Sequence, residues 1–157
     1  VHGSRGLGDV YKRQSNNGLI MLNFGSGFIS EQSNKSFGNI NSKVEKYKIE
    51  NNLKDSDKKI LKYKDDLINT VKPFASINDF VDTIDHVKEL VGIDHIGLGS
   101  DFEGLGNTLP YDLKDASTYP NILYNLLERE YSEIEIKKIC SDNLFRVWNA
   151  NLQNRQI

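Results

Sequence analysis

Cysteine occurs once in 157 residues, at Cys140, so the chain can form neither an internal disulfide nor a cysteine-rich metal motif. No apolar run approaches the ~18–20 residues that a membrane span needs, and no stretch has the pattern of a signal peptide. With the lone thiol, these absences lead us to expect a cytoplasmic protein. Basic excess is absent too: 20 Lys and Arg face 22 Asp and Glu, for a net charge of −2. That balance gives no basic surface for nucleic acid, and no nucleic-acid partner is expected. Apolar residues make up only 38%, and the deficit sits mainly in one Lys- and Asn-rich region.

The chain is long enough for one ordinary domain. Residues 1–14 (VHGSRGLGDVYKRQ) show neither helical nor strand periodicity and carry several basic residues. They resemble translated adaptor or vector sequence and are set apart from the expected domain, residues 15–157. Asn16-Asn17-Gly18 is a turn signal, and Leu19–Phe24 is a continuous apolar run of strand length. Such a run suits a strand buried on both faces of a parallel sheet. From Asn34 to Lys72 the chain is polar, with apolar residues at rough helical spacing and breaks near Asn51-Asn52 and Asp55-Ser56. This predicts two helices with solvated faces, within a polar insert of about 33–75.

Ser76 to Val91 carries the clearest helical pattern. Ser76 and Asp79 form an S-x-x-D start, and Ile77, Phe80, Val81, Ile84, Val87, Leu90 and Val91 lie on one stripe before Gly92. A second short strand, Ile96–Gly99, follows almost at once. Pro120 opens a further helix with Ile122, Leu123, Leu126 and Leu127 inward, Ser132 and Glu135 cap the next, and Asn143 begins the last. Cys140, Phe145, Val147 and Trp148 read as core. Short buried strands separated by helices predict an α/β fold with a parallel sheet, which two strands alone cannot complete.

The strand at Ile96 runs directly into Gly99-Ser100-Asp101-Phe102-Glu103-Gly104. A carboxylate at the mouth of a buried strand is where α/β enzymes place chemistry. Extended geometry continued through this stretch would put Asp101 and Glu103 on one side, where paired carboxylates bind metals or move protons; capping of the next turn is the structural alternative. Gly97 and Gly99 would admit the close approach of a backbone or a ligand. His86 and His95 form no His-x-His, His-x-Asp or HExxH pattern, so packed or surface roles are expected for both, and no metal ligand is assigned.

Four segments, GLIMLNF, FVDTIDHVKELVGIDHIGLGSDFEG, LKDASTYPNILYNLLEREYSEIEIKKI and DNLFRVW, resemble in order the membrane (renal-type) dipeptidases, a family of zinc peptidases. The resemblance runs from about Gly18 to Trp148. It implies a (β/α)8 TIM-type barrel of which this chain holds about strands 7 and 8 with the terminal helices. It also implies a site of two zinc ions, dipeptides as substrates and a homodimer as a common assembly. Asp101 matches the family's catalytic aspartate in its G-[SG]-D-F motif. Gly25 and Phe28 fall where some members place aromatic residues in the substrate pocket, and Glu103 stands where Asp is common.

The resemblance also implies an absence. The family's zinc ligands, an early His-x-Asp pair, a bridging Glu and two later histidines, precede the segment that begins at Gly18, as does the Arg that grips the substrate carboxylate. Two readings follow: part of a metal-dependent dipeptidase, inactive by itself, or a non-catalytic barrel piece acting as a binding module or without function. An upstream half bearing the ligands separates them.

Overall fold

Two short strands lie side by side. β1 (Ile20–Leu22) and β2 (Ile96–Leu98) pair in parallel, with Ile20 opposite Ile96, Met21 opposite Gly97 and Leu22 opposite Leu98. They come from a computed structural model that describes residues 15–153; the adaptor-like segment 1–14 lies outside the described residues. Parallel strands need a long crossover. Here it is made by α1 (Ser26–Ile29), α2 (Glu31–Glu50), α3 (Lys58–Val71) and α4 (Ile77–Val91). Beyond β2 come α5 (Tyr119–Glu128), α6 (Glu133–Lys137), a π-helical turn (Lys138–Asp142) and α7 (Asn143–Gln153). The chain is thus a helix-rich α/β structure with, among the described residues, a single two-stranded sheet.

Local chemistry sets the helix ends. Ser76 and Asp79 form the expected capping box on α4, the Asp79 N–H donating to Ser76 Oγ while Asp79 Oδ2 accepts the Ser76 N–H at 2.7 Å. A partner from far along the chain joins them: Asp112 Oδ1 accepts the Ile77 N–H at 2.8 Å, and burial pushes the Asp112 carboxyl above its ordinary range. Gly92 ends the helix at φ +85°, in the region that suits glycine. Ser132 and Glu135 repeat the box on α6. The polar segment becomes a hairpin of α2 and α3, started by caps at Ser30 and Asp57 and joined by Tyr47 stacked on Tyr63 at 4.2 Å.

The core forms where the α4 stripe meets the sheet. Phe80, Val81 and Ile84 are fully buried with Phe24, Ile96, Leu113, Ile122 and Leu126. Each such side chain contributes about 1.5–3 kcal/mol through burial. At the N-terminal end of the strands, Asn143 is buried and donates through Nδ2 to the carbonyls of Ile93 and Ile96, both at 2.8 Å. Arg146, one turn on, donates to the carbonyls of Asn17 and Asp94 at 2.7 and 2.6 Å. His95 is also buried there, its Nδ1–H meeting the Gly18 carbonyl at 2.8 Å. Helix α7 therefore clamps the starts of both strands.

Several residues expected inside are not. Met21 is 44% exposed, because the sheet is covered on one face rather than two. Phe145 and Trp148 are exposed, at 59% and 60%, and Leu127 and Cys140 are exposed as well. Leu144, Trp148 and Leu152 repeat at i, i+4 and i+8 along α7 on a face that the described residues leave largely exposed. The apolar period is present, but its covering partner is not among residues 15–153.

Candidate functional site

The C-terminal ends of β1 and β2 converge on one pair of side chains. Backbone pairing runs past the strands, from Gly99 N–H to the Leu22 carbonyl at 2.8 Å and from Phe24 N–H to the Ser100 carbonyl at 3.3 Å. Gly99 makes this approach possible: a Cβ there would stand 2.9 Å from the carbonyl carbon and oxygen of Met21. Asn23, the first residue past β1, uses both ends of its amide. Its Oδ1 accepts the Gly25 N–H at 2.7 Å, and its Nδ2 donates to Asp101 Oδ2 at 2.7 Å. One side chain therefore links the mouths of the two strands.

Asp101 lies in the left-handed region at φ +61°, which costs a residue with a side chain on the order of 1–2 kcal/mol, least for Asp and Asn. That conformation turns the chain sharply, and the Gly104 N–H donates back to the Asp101 carbonyl at 3.2 Å. A Cβ on Gly104 would strike the Asp101 carboxylate. Phe102 holds the turn from below. Its ring lies 5.5 Å from Phe24 and 6.0 Å from Tyr119, and Phe24 in turn packs edge-on against Phe80 of α4 at 4.5 Å. The exposed carboxylate of Asp101 is thus carried on a turn whose next residue is partly buried against the core.

Glu103 does not share its face. The strand stops at Leu98 and the backbone reverses at Asp101, so the spacing of an extended strand no longer applies. Glu103 is exposed and bonds to no described residue. Gly25 and Phe28 do come together. A Cβ on Gly25 would lie 2.8 Å from Phe28 Cδ2 and 2.9 Å from Leu105 Cδ2, so the Phe28 ring occupies the space that a side chain at position 25 would need. These residues and Gly104 form one side of an open cleft of about 480 Å³. The hairpin forms the other side, with Phe37, Gly38 and Asn41 from α2 and Lys64 from α3. Ser26, between the two cleft glycines, is fully buried, and its hydroxyl is the one buried side-chain atom among the described residues without a hydrogen-bond partner.

Sequence reasoning missed Asn23 and the hairpin wall. The only sequence signal for Asn23 is a polar residue inside the otherwise apolar run Leu19–Phe24.

The donor set does not fit zinc. Zinc takes three or four ligands from His, Cys and carboxylates at about 2.0–2.3 Å. Among the described residues no three such side chains converge. Asp101 is the only one of these types joined to the strand-end pair, His95 is tied to Gly18 at the opposite end of the strands, and His86 is exposed on α4.

Comparison with known proteins bears on this arrangement. The family model for membrane dipeptidases matches residues 11–156. Among solved structures, the probable dipeptidase PvdM from Pseudomonas aeruginosa is similar at a TM-score of 0.65 and 21% identity, over 90% of this chain and 39% of that one. At that identity the likeness speaks for the fold, and the chain spans about two fifths of the length of that structure. The match also corrects the cytoplasmic location expected from the sequence. The matched family is that of the membrane dipeptidases, typically anchored to membranes or extracellular. That expectation rested on absent features, which carry little weight; no helix among the described residues is long and apolar enough to cross a membrane.

Proposed function

The chain belongs to the membrane dipeptidase family, and from that premise we propose that it forms the Asp101 corner of a dipeptide-hydrolysing site. In this reading β1 and β2 are neighbouring strands, the seventh and eighth, of a (β/α)8 barrel. Three observations support it: the parallel pairing of the strands, the exposed Met21 face, and the apolar face of α7 that the described residues leave largely exposed. The rest of the barrel would cover those surfaces and bring the family's two zinc ions and their ligands, which the described residues do not supply.

The observation that carries the proposal is the Asn23–Asp101 pair at the strand ends. Hydrolysis of a dipeptide adds water across the amide: hydroxyl goes to the carbonyl carbon, the C–N bond breaks, and a proton goes to the leaving amine. A carboxylate held at a fixed place can carry that proton, a role worth about 10²–10⁴-fold in rate. The bond from Asn23 to Oδ2 of Asp101 fixes the carboxylate at the strand ends. Gly25 and Phe28 shape the adjoining pocket, Phe28 supplying an aromatic wall where Gly25 has none.

The test uses a complete dipeptidase carrying these residues. Asp101→Asn should keep fold and zinc content and lower turnover by at least about 10²-fold. Unchanged turnover removes Asp101 from the reaction, and a complete protein that cleaves no dipeptide leaves only a binding role. Residues 15–157 alone should neither bind zinc stoichiometrically nor cleave dipeptides; stoichiometric zinc with turnover would refute the reading of the chain as one part of the site.

A further inference from the structure

The cleft beside Asp101 has a wall that the reaction does not require. Of the residues that line it, Lys64 of α3 is the only one with a charge. Some other lysines of the hairpin are paired, Lys35 with Glu31 at 2.6 Å and Lys48 with Asp55 at 2.6 Å, but none of these lines the cleft. The Lys64 ammonium pairs with no carboxylate among the described residues, although Asp65 and Asp66 follow it directly. On the same wall, from α2, the Asn41 amide is exposed and makes no hydrogen bond with a described residue. The other polar side chains on the lining are already used, Asn34 Nδ2 on the Gly27 carbonyl at 2.7 Å and Thr108 Oγ1 on the Leu105 carbonyl at 2.7 Å. The free groups of the cleft are therefore an ammonium and an amide, set against the apolar rings of Phe28 and Phe37.

Resting on the dipeptidase reading, we propose that the α2–α3 hairpin selects substrates, Lys64 and Asn41 binding a carboxylate on the side chain of the dipeptide. An ammonium and an amide N–H both complement a carboxylate, the ammonium repels a cationic side chain, and the rings pack against the methylene groups that carry the carboxylate. The cleft volume of about 480 Å³ leaves room for a side chain beyond the scissile amide. Gly104 lines the cleft and lies against the Asp101 carboxylate, so the selecting wall and the reacting corner are neighbours.

The experiment compares Gly-Glu with Gly-Gln, nearly isosteric and differing in charge, in the complete enzyme. The ratio of kcat/KM for Gly-Glu to that for Gly-Gln should fall about 3- to 10-fold in Lys64→Gln, the size of a partly exposed ion pair helped by one hydrogen bond. Lys64→Glu should push the ratio lower still and raise relative turnover of Gly-Lys. An unchanged ratio in both variants overturns the proposal. A binding arm separates it from the hydrolysis reading. Gly-Glu should shift the NMR signals of the Asn41 side-chain amide, and Lys64→Gln should abolish the shift. That result with no turnover keeps the carboxylate site and removes the dipeptidase; turnover with no Lys64-dependent shift does the reverse.

Discussion

Alanine at Gly99 should damage the fold and the site together. Its Cβ would stand 2.9 Å from three atoms of Met21, two of them backbone. Carbon contacts are comfortable at about 3.5–4.0 Å, so the strands must part by roughly 0.6–1 Å. Overpacking of this kind costs about 1–3 kcal/mol. The Gly99 N–H to Leu22 carbonyl bond sits at the point that must open, and weakening it adds on the order of 1 kcal/mol. The expected loss is about 2–4 kcal/mol, or a fall of roughly 1–2 M in the urea midpoint for a slope near 2 kcal/mol/M. Gly38→Ala is the control. Nothing lies within 4 Å of its Cβ, and it sits inside α2, where alanine should stabilise by about 0.5–1 kcal/mol. Urea unfolding followed by circular dichroism reads both. If the two alanines shift the midpoint in the same direction, or Gly99→Ala is neutral, the close approach of the strand ends is not what the glycine serves.

Three more perturbations test other joints. Asn143→Ala leaves the carbonyls of Ile93 and Ile96 without their donor, which should cost about 2–4 kcal/mol in the same unfolding assay; a loss below about 0.5 kcal/mol would mean that water replaces the amide. Glu135 is held down to about 2, first by its hydrogen bond with Lys88, then by those from Ser132. A carboxyl depressed in the folded state stabilises above its unfolded value and loses that contribution as the pH falls from about 4.5 towards 2. The pair lies at the surface, so its contribution is about 1 kcal/mol or less; Lys88→Met should flatten the slope of stability against pH in this window, and an unchanged slope would refute the assignment. Finally, Phe145→Gln with Trp148→Lys should reduce self-association of the isolated chain in analytical ultracentrifugation, because both rings are exposed on α7 and large apolar patches invite contact. A monodisperse wild-type chain would refute that expectation.

Signals that act within a few residues are readable in this sequence. The capping boxes at Ser76 and Ser132 and the terminating Gly92 satisfy backbone groups one turn away, and the structure has each of them. The breaks at Asn51-Asn52 and Asp55-Ser56 separate α2 from α3 for the same reason. Burial is less readable, because an apolar stripe tells which face of a helix seeks cover and not whether cover is present. On α4 the stripe is covered; on α7 the same period leaves Trp148 in solvent. Asp112 capping α4 and Asn23 bonding Asp101 span 35 and 78 residues, and nothing local in the chain announces either.

The terminal Asn-Leu-x-Arg-Val pattern helps to place the chain in its family, yet its Asn143 and Arg146 work at the N-terminal ends of the strands, opposite Asp101. Gly99 and Gly104 belong to the motif around Asp101, and each is there to let something else come near, the Met21 backbone in one case and the Asp101 carboxylate in the other. Most of the recognisable residues thus hold two strands in register rather than touch a substrate. That division follows from the site itself. In the proposed site Asp101 is held where Asn23 can reach it, Asn23 rides on β1, and β1 stays level with β2 because α7 fixes their starts and Gly99 lets their ends meet. A slip of one residue would carry Asn23 about 3.3 Å along the strand, beyond hydrogen-bonding reach of Asp101. In the proposed site register is therefore as necessary as the carboxylate, and so are the residues that set it.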